Sequence, residues 1–135
     1  MKAITREWLD RAQDDLDAAN ALLSYPDLTH VAAFHAQQAT EKALKAALEE
    51  YDLGLLKTHS LTRLLEVVKT RLILNFDQDM LDRLEAVYIE ARYPSELGLL
   101  PYGKPTQKDA REFYVFAQDA YRQICLALQD EQVED

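Results

Sequence analysis

Glycine and proline, the residues that interrupt helices, are scarce in this sequence. The 135 residues include three glycines and four prolines, and the stretches 27–53 and 55–93 contain neither. Because these two residue types are the least favourable in a helix interior, their scarcity lets regular structure run far between breaks. The spacing therefore favours a chain built from long helices, and no pattern in it predicts a strand.

The length and composition indicate one globular domain. Apolar residues make up 48% of the chain and charged residues 29%, which is too apolar for a disordered protein. Two independent domains within this length would each have a marginal core. We expect a single domain over residues 1–135, with an ordered core over about 4–128 and an acidic tail over 129–135.

The charge and the cysteine content narrow the classes of function. A formal net charge of −9 repels phosphate backbones at long range and argues against nonspecific DNA binding. The single cysteine, Cys125, excludes an intrachain disulfide. No apolar run approaches the roughly 20 residues that span a bilayer, and the first residues lack the apolar core of a signal peptide. We therefore expect a cytoplasmic protein with no membrane segment.

Apolar residues recur every three or four positions over five segments, as they do on one face of a helix. The predicted helices run from Thr5 to the Pro26 step, over about 28–51, from the 57–60 segment to Leu72, from Asp77 to near Tyr93, and from Thr106 to Leu128. On the first helix, Asp10, Asp14, Asp15 and Asp17 are assigned to the solvent face. Short connections between five such helices predict an all-α fold, an antiparallel up-and-down helical bundle.

Several residues are predicted to mark helix ends. Thr5, Asp77 and Thr106 are the expected N-caps, since a side-chain oxygen there can accept from a free backbone N–H. Asp109 follows Thr106 at the spacing of a capping box. Gly54 is expected to end the second helix. The segment from Pro94 to Pro105 is predicted to be an ordered loop.

A polar stripe runs along the second helix. His35, Gln38, Lys42 and Lys45 are spaced by three, four and seven residues, which places them on one face, with Glu41 beside them. One interpretation is a polar cleft where His35 and the lysines meet a phosphate or an acidic partner. The other is a solvated face on which Glu41 and Lys45 form a surface ion pair and His35 is partly buried.

The segment Lys57-Thr58-His59-Ser60 opens the third helix. The unpaired N–H groups and the helix dipole favour an anion there, so a phosphate site is one interpretation. The other is that Thr58 or Ser60 caps the helix while His59 packs on the turn.

Arg92 and Tyr93 lie at the end of the fourth helix, before a proline. The guanidinium group can bind a phosphate or cap the last carbonyls, and capping is the simpler interpretation. The histidines His30, His35 and His59 lack metal-ligand spacing, so we expect no metal site and no cofactor. No phosphate-binding loop or serine-nucleophile motif occurs.

Three segments together resemble the HEPN family of prokaryotic helical domains. They are FHAQQATEKALKA at 34–46, KTHSL at 57–61 and EARYP at 90–94, in the family's order and spacing. The resemblance extends from about Ile4 to Leu128. It implies a bundle of about five helices, a homodimer, and a minimal nucleotidyltransferase encoded nearby in a toxin–antitoxin-like pair.

The resemblance also implies a choice between two activities. Some relatives are metal-independent ribonucleases, and others are thought to bind nucleotides. The ribonuclease branch has an arginine followed, after four to six residues, by a histidine. Here the matching arginine is Arg92, but Leu97, Gly98 and Leu99 occupy those positions, and no other arginine has a histidine at that spacing.

The sequence therefore predicts a non-catalytic HEPN-like module that dimerises and binds a nucleotide, a partner nucleotidyltransferase, or both. The expected phosphate-binding residues are Lys42, Lys45, His59, Arg92 and Tyr93. The alternative is a ribonuclease toxin with a rearranged site, in which His35 or His59 supplies the base near Arg92.

Overall fold

Five α-helices form the described part of the chain. The structure, a computed structural model, describes residues 1–92 and 104–133, with side chains over 1–87 and 104–129. The helices are α1 (Ala3–Leu22), α2 (Thr29–Glu50), α3 (Leu61–Val68), α4 (Gln78–Arg92) and α5 (Gln107–Val133), and a short 3₁₀ turn, Pro26–Leu28, joins the first two. The predicted all-α fold is confirmed. The predicted loop up to residue 103 lies outside the described residues.

Helix α2 lies at the centre and contacts each of the other four helices. Its buried face is rich in alanine, and small side chains let neighbouring helices approach closely. The buried alanines of α2 are Ala32, Ala33, Ala36, Ala39, Ala43, Ala46 and Ala47. Leucines fill the space between helices, and Leu44, Leu64 and Leu84 are fully buried. Each such leucine contributes about 1.5–3 kcal/mol relative to an exposed one.

The beginning of α1 is tied to the end of α2, so the two helices run antiparallel. The Nζ atom of Lys2 donates to the carbonyl of Glu49 at 2.8 Å and contacts the Asp52 carboxylate at 2.6 Å. Thr5 is fully buried, and its hydroxyl donates to Glu50 at 2.9 Å. The predicted N-cap at Thr5 is therefore wrong: α1 begins at Ala3, because Thr5 is used for a contact with a residue far along the chain.

Helix α2 ends at Glu50, within one residue of the predicted end, and Asp52 rather than Gly54 closes it. Asp52 adopts a left-handed φ of 51°, and the Leu53 N–H donates to the Leu48 carbonyl at 2.9 Å. This is the bonding pattern of a Schellman motif. Gly54 comes two residues later, with φ 100°, and turns the chain away from the helix.

The caps at Asp77 and Thr106 are confirmed. Asp77 accepts from the Met80 N–H at 3.0 Å. Thr106 and Asp109 exchange two hydrogen bonds of 3.0 Å, which makes the predicted capping box. Helix α3 is shorter than predicted, because it ends at Val68, although Leu72 beyond it is still buried. Within the described ranges, we find no helix long and apolar enough to cross a membrane.

Candidate functional site

The polar stripe of α2 forms two separate clusters around two buried carboxylates. In the first, which we call the Asp15 cluster, Asp15 of α1 reaches across to α2. Its Oδ1 lies 2.9 Å from His35 Nδ1 and its Oδ2 lies 2.7 Å from Lys42 Nζ. His35 and Lys42 are two helical turns apart on α2 and so face the same neighbour. The Asp15 cluster therefore joins α1 to α2.

The second cluster, which we call the Glu41 network, consists of Glu41, Gln37, Lys45 and His59. The Glu41 side chain is 5% exposed, and it accepts from Gln37 Nε2 at 3.2 Å and from Lys45 Nζ at 3.0 Å. His59 Nδ1 lies 3.1 Å and 3.3 Å from its two oxygens. Since His59 precedes α3, the Glu41 network joins α2 to the start of α3.

The structure combines features of both interpretations of the stripe. Glu41 and Lys45 do form an ion pair, but the glutamate is buried, so the predicted surface pair is wrong in its location. His35 is partly buried, as that interpretation expected. Gln38 donates to the side chain of Gln37 at 2.7 Å and thereby extends the Glu41 network. Each lysine of the stripe faces a carboxylate, which offsets its positive charge.

The start of α3 is capped by the protein itself. The Ser60 hydroxyl accepts from the Arg63 N–H at 3.3 Å, which confirms the capping interpretation for Ser60. Thr58 accepts from the Ser60 N–H at 3.1 Å. The Glu85 carboxylate of α4 lies 3.5 Å from the Thr62 N–H. A carboxylate at a helix N-terminus is favourable, and Glu85 supplies one at the first turn of α3.

The structure does not describe the side chains of Arg92 and Tyr93, so neither residue can be placed relative to these clusters. Arg92 is the last residue of α4, and its side chain lies outside the described part of the structure, as does all of Tyr93. Helices α2, α3 and α4 do contact one another. Segment 34–46 lies on α2, segment 57–61 ends at the first residue of α3, and the described part of segment 90–94 is the end of α4.

A family model described as HEPN domain matches residues 5–125. The chain belongs to the HEPN domain family. This confirms the resemblance drawn from the three segments.

Two solved structures are similar to this HEPN chain. ST0689, an archaeal HEPN homologue, is 25% identical in sequence, with a TM-score of 0.64, and the match covers 92% of this chain and 96% of that one. TT1696 from Thermus thermophilus is 29% identical, with a TM-score of 0.70 and coverage of 91% and 97%. No curated protein matches the chain at a significant level.

Sequence analysis missed one central residue of this HEPN domain. Asp15 was assigned to the solvent face of α1 with the neighbouring aspartates, but it is buried. A signal was present, because Trp8, Ala12, Asp15 and Ala19 follow the three-and-four spacing of the core stripe. A buried carboxylate on that stripe requires a cationic partner, and Lys42 provides it.

Two other features of the HEPN domain bear on reactivity, namely the Cys125 thiol and the groups that could bind a metal ion. Burial raises the pKa of the Cys125 thiol, despite a hydrogen bond from Tyr121 that lowers it. A raised pKa keeps the thiol protonated and unreactive near neutrality. Within the described ranges, no group of three or more histidine, cysteine, aspartate or glutamate side chains is placed to hold a metal ion.

Proposed function

We propose that this chain is a non-catalytic HEPN module that acts by association, as a homodimer and as the partner of a minimal nucleotidyltransferase in a toxin–antitoxin-like pair. One observation carries the proposal: an apolar groove is open to solvent between α4 and α5. Met80 and Phe116 line it, and Val115 beside them is 60% exposed. The groove has a volume of about 620 Å³.

Two further exposed apolar side chains lie beyond the groove, and the Asp119–Arg122 ion pair separates the groove from the one on α5. Leu126 lies about three helical turns after Val115 on the same face of α5, and it is 51% exposed. Ile73 is 100% exposed, in the turn that Gln123 of α5 holds by two hydrogen bonds to Asn75. The groove itself, with Met80, Val115 and Phe116, is the apolar patch that supports association, since exposed apolar patches mark sites of protein association.

The rim of the groove supports a second copy of the chain as the occupant. It carries both signs of charge, with Lys108 and Arg111 beside Glu112 and Asp119. In a two-fold dimer the same surface patch of both copies forms the interface. Every contact between one residue of the first copy and a different residue of the second copy therefore occurs twice, with the copies exchanged. A rim of mixed sign can pair with its own copy, whereas a rim of one sign repels it.

The dimer is tested by measuring the mass of the protein in solution, since one chain is 15.5 kDa. We expect the wild type to sediment as a dimer and Val115→Glu to sediment as a monomer, because a carboxylate would be buried without a partner. Ile4→Glu is the matched control, since Ile4 is an exposed apolar residue of α1, and it should stay dimeric. A wild type that remains monomeric at high concentration would contradict the proposal.

The partner is tested first by the gene neighbourhood, where we expect a minimal nucleotidyltransferase gene, and then by co-expression of the two proteins. We expect the two proteins to co-purify. Dissociation of the complex by Val115→Glu would mean that the partner needs the dimer, and an intact complex would mean that it binds another face. Absence of any complex would contradict this part of the proposal.

The nucleotide part of the proposal concerns Lys42, Lys45, His59, Arg92 and Tyr93. The carboxylates of Asp15 and Glu41 offset the two lysine charges, so a phosphate there must compete with them. A thermal-shift screen against nucleotides and short RNAs tests it, because a ligand of the folded state raises the melting temperature. Arg92→Ala should remove the shift while leaving the melting temperature of the free protein unchanged. His59→Ala should remove the shift and also lower that melting temperature, because His59 contacts the buried Glu41 carboxylate.

One geometry favours the ribonuclease as a second candidate. A buried carboxylate holds His59 by Nδ1, and when Nδ1 carries the proton, Nε2 is the basic nitrogen. Lys45 on the same carboxylate supplies a cation. A base and a cation are the groups that 2′-hydroxyl attack on a phosphodiester requires.

The ribonuclease is tested with purified protein, RNA and a chelator. The ribonuclease activity would be established by three results together. Cleavage must persist with the chelator, must be lost in His59→Gln and must persist in His30→Gln. The control is suitable because His30 is exposed and takes no part in the Glu41 network. Cleavage that both variants retain would point to a contaminant, and absence of cleavage would leave association as the function.

A further inference from the structure

A small pocket lies where the first half of α1, the end of α2 and the loop after α2 meet. We call it the Trp8 pocket, and it is lined by Trp8, Lys45, Leu48, Glu49, Leu55 and Lys57. Its volume is about 190 Å³. A cavity of about 150 Å³ accepts a benzene ring, so the Trp8 pocket has room for one ring with a small substituent. A base, a sugar and a phosphate together need more space.

The wall of the pocket is a defined turn. The Schellman bond from Leu53 to Leu48 fixes the start of the loop. Gly54 then takes a φ of 100°, which side chains rarely adopt, and it lies in the wall. The turn leaves Leu55 76% exposed at the rim of the pocket. A ligand in the pocket would cover this leucine and gain the apolar contact.

The indole of Trp8 supplies a flat, fixed wall of the pocket. It lines the pocket and packs against the hydrophobic core. Its Nε1 atom is shielded from solvent and has no acceptor among the described residues, so Trp8 offers the pocket an aromatic surface and not a hydrogen bond. Aromatic rings pair favourably with other rings in offset or edge-to-face contact.

One cation at the pocket, Lys57, is available to an anion, although the protein as a whole is acidic. Lys45 and Lys57 face one carboxylate, Glu49, among the lining residues. The Lys45 ammonium lies 5.7 Å from the centre of the Trp8 ring and is also paired with Glu41. Lys57 is exposed and makes no ion pair within the described part of the chain. Its charge is available to a ligand without loss of an existing contact.

We propose that the Trp8 pocket binds a small ligand made of one planar ring and one anionic group. The ring lies against Trp8, Leu48 and Leu55, and the anionic group pairs with Lys57. The pocket is formed within one chain, so binding is independent of the groove between α4 and α5 and of the proposed association.

The test uses the fluorescence of Trp8, which is the single tryptophan of the protein. The full chain is titrated with benzoate, phenyl phosphate and neutral benzamide. We expect a saturable change in emission with at least one of the two anions, and the better of them identifies the anionic group as carboxylate or phosphate. Benzamide should bind at least about tenfold more weakly, since a hydrogen bond to a charged group is worth roughly 1.5–3 kcal/mol.

Two variants locate the site. Lys57→Gln should weaken binding roughly tenfold, whereas Lys69→Gln, which also changes an exposed lysine, should leave it unchanged. Trp8→Leu removes the aromatic ring but keeps an apolar side chain, and calorimetry should then show weaker binding of the same anion. Val115→Glu should bind as the wild type does, whatever its oligomeric state.

Several results would overturn the proposal. They are a change in emission that rises linearly without saturation, equal affinity for benzamide and the anions, and equal loss of affinity in Lys57→Gln and Lys69→Gln. Each would show that the pocket does not hold an anionic ring. Unfolding by urea, followed for each variant, excludes loss of the fold as the reason for lost binding.

Discussion

Replacement of Glu41 by glutamine is expected to destabilise the fold far more than replacement of an exposed glutamate. Glu41 is 5% exposed and accepts hydrogen bonds from three side chains, those of Gln37, Lys45 and His59. Glutamine keeps the shape but removes the charge. It also places an amide N–H₂ where the neighbours present donors, so at least one contact becomes repulsive.

The magnitude follows from the burial of the partners. Removing one member of a fully buried ion pair costs about 3–5 kcal/mol, and removing one from an exposed pair costs about 1 kcal/mol or less. Lys45 is 19% exposed and His59 is 50% exposed, so water can partly solvate the groups left behind. We therefore expect Glu41→Gln to lower the free energy of unfolding by about 2 kcal/mol. For a chain of this size that loss lowers the melting temperature by roughly 8 °C.

The assay is urea unfolding followed by far-ultraviolet circular dichroism. Glu7→Gln is the matched control, because Glu7 forms an ion pair of the same length, 3.0 Å, with Arg11, but the two side chains are 57% and 62% exposed. It should cost less than about 0.5 kcal/mol. Adding Lys45→Met to Glu41→Gln should recover part of the loss, since it removes the unpaired ammonium. Equal costs for Glu41→Gln and Glu7→Gln would refute the reasoning.

Three further predictions concern groups outside the Glu41 network. Hydrogen bonding to the Thr106 backbone lowers the pKa of Asp109, so its contribution to stability is present above the ordinary value of 3.8 and is lost as the pH falls through the lower folded value. Asp109→Asn should thus melt below the wild type at neutral pH, and the gap should close in acid. Ser60→Ala should cost about 1 kcal/mol in urea unfolding through loss of the α3 cap, and a change near zero would contradict that role. Burial raises the pKa of Cys125, so iodoacetamide should alkylate the folded protein much more slowly than the urea-unfolded one, and equal rates would argue against it.

Much of the fold could be predicted because hydrophobic periodicity is a local property. On α3 the predicted stripe residues Leu61, Leu64, Leu65 and Val68 are all buried. Helix ends were less predictable where a distant residue intervened. Thr5 has the chemistry of a cap, but its hydroxyl serves Glu50, and no local pattern specifies that contact.

The candidate site could be predicted only in part. The spacing of Glu41 and Lys45 gave their ion pair, since residues four apart on a helix are neighbours. Their burial was not predicted, because charged residues are usually exposed unless they are paired. One partner of the buried Glu41 is His59, which comes from a different segment of the chain. The buried Asp15 on α1 is likewise paired with Lys42 on α2. Such contacts depend on the packing of whole helices.

The two buried carboxylates stabilise the fold and at the same time oppose anion binding along α2. Asp15 and Glu41 let cationic side chains sit on a helix that is otherwise packed with alanine, and each joins α2 to a neighbouring element. The same contacts occupy Lys42 and Lys45, so an anion at either lysine must displace a carboxylate that holds the bundle together. Lys57 lies outside both clusters and carries no such cost. This is the physical reason to expect anion recognition at the Trp8 pocket, at the edge of the Glu41 network, while the network itself keeps α2 and the start of α3 in register.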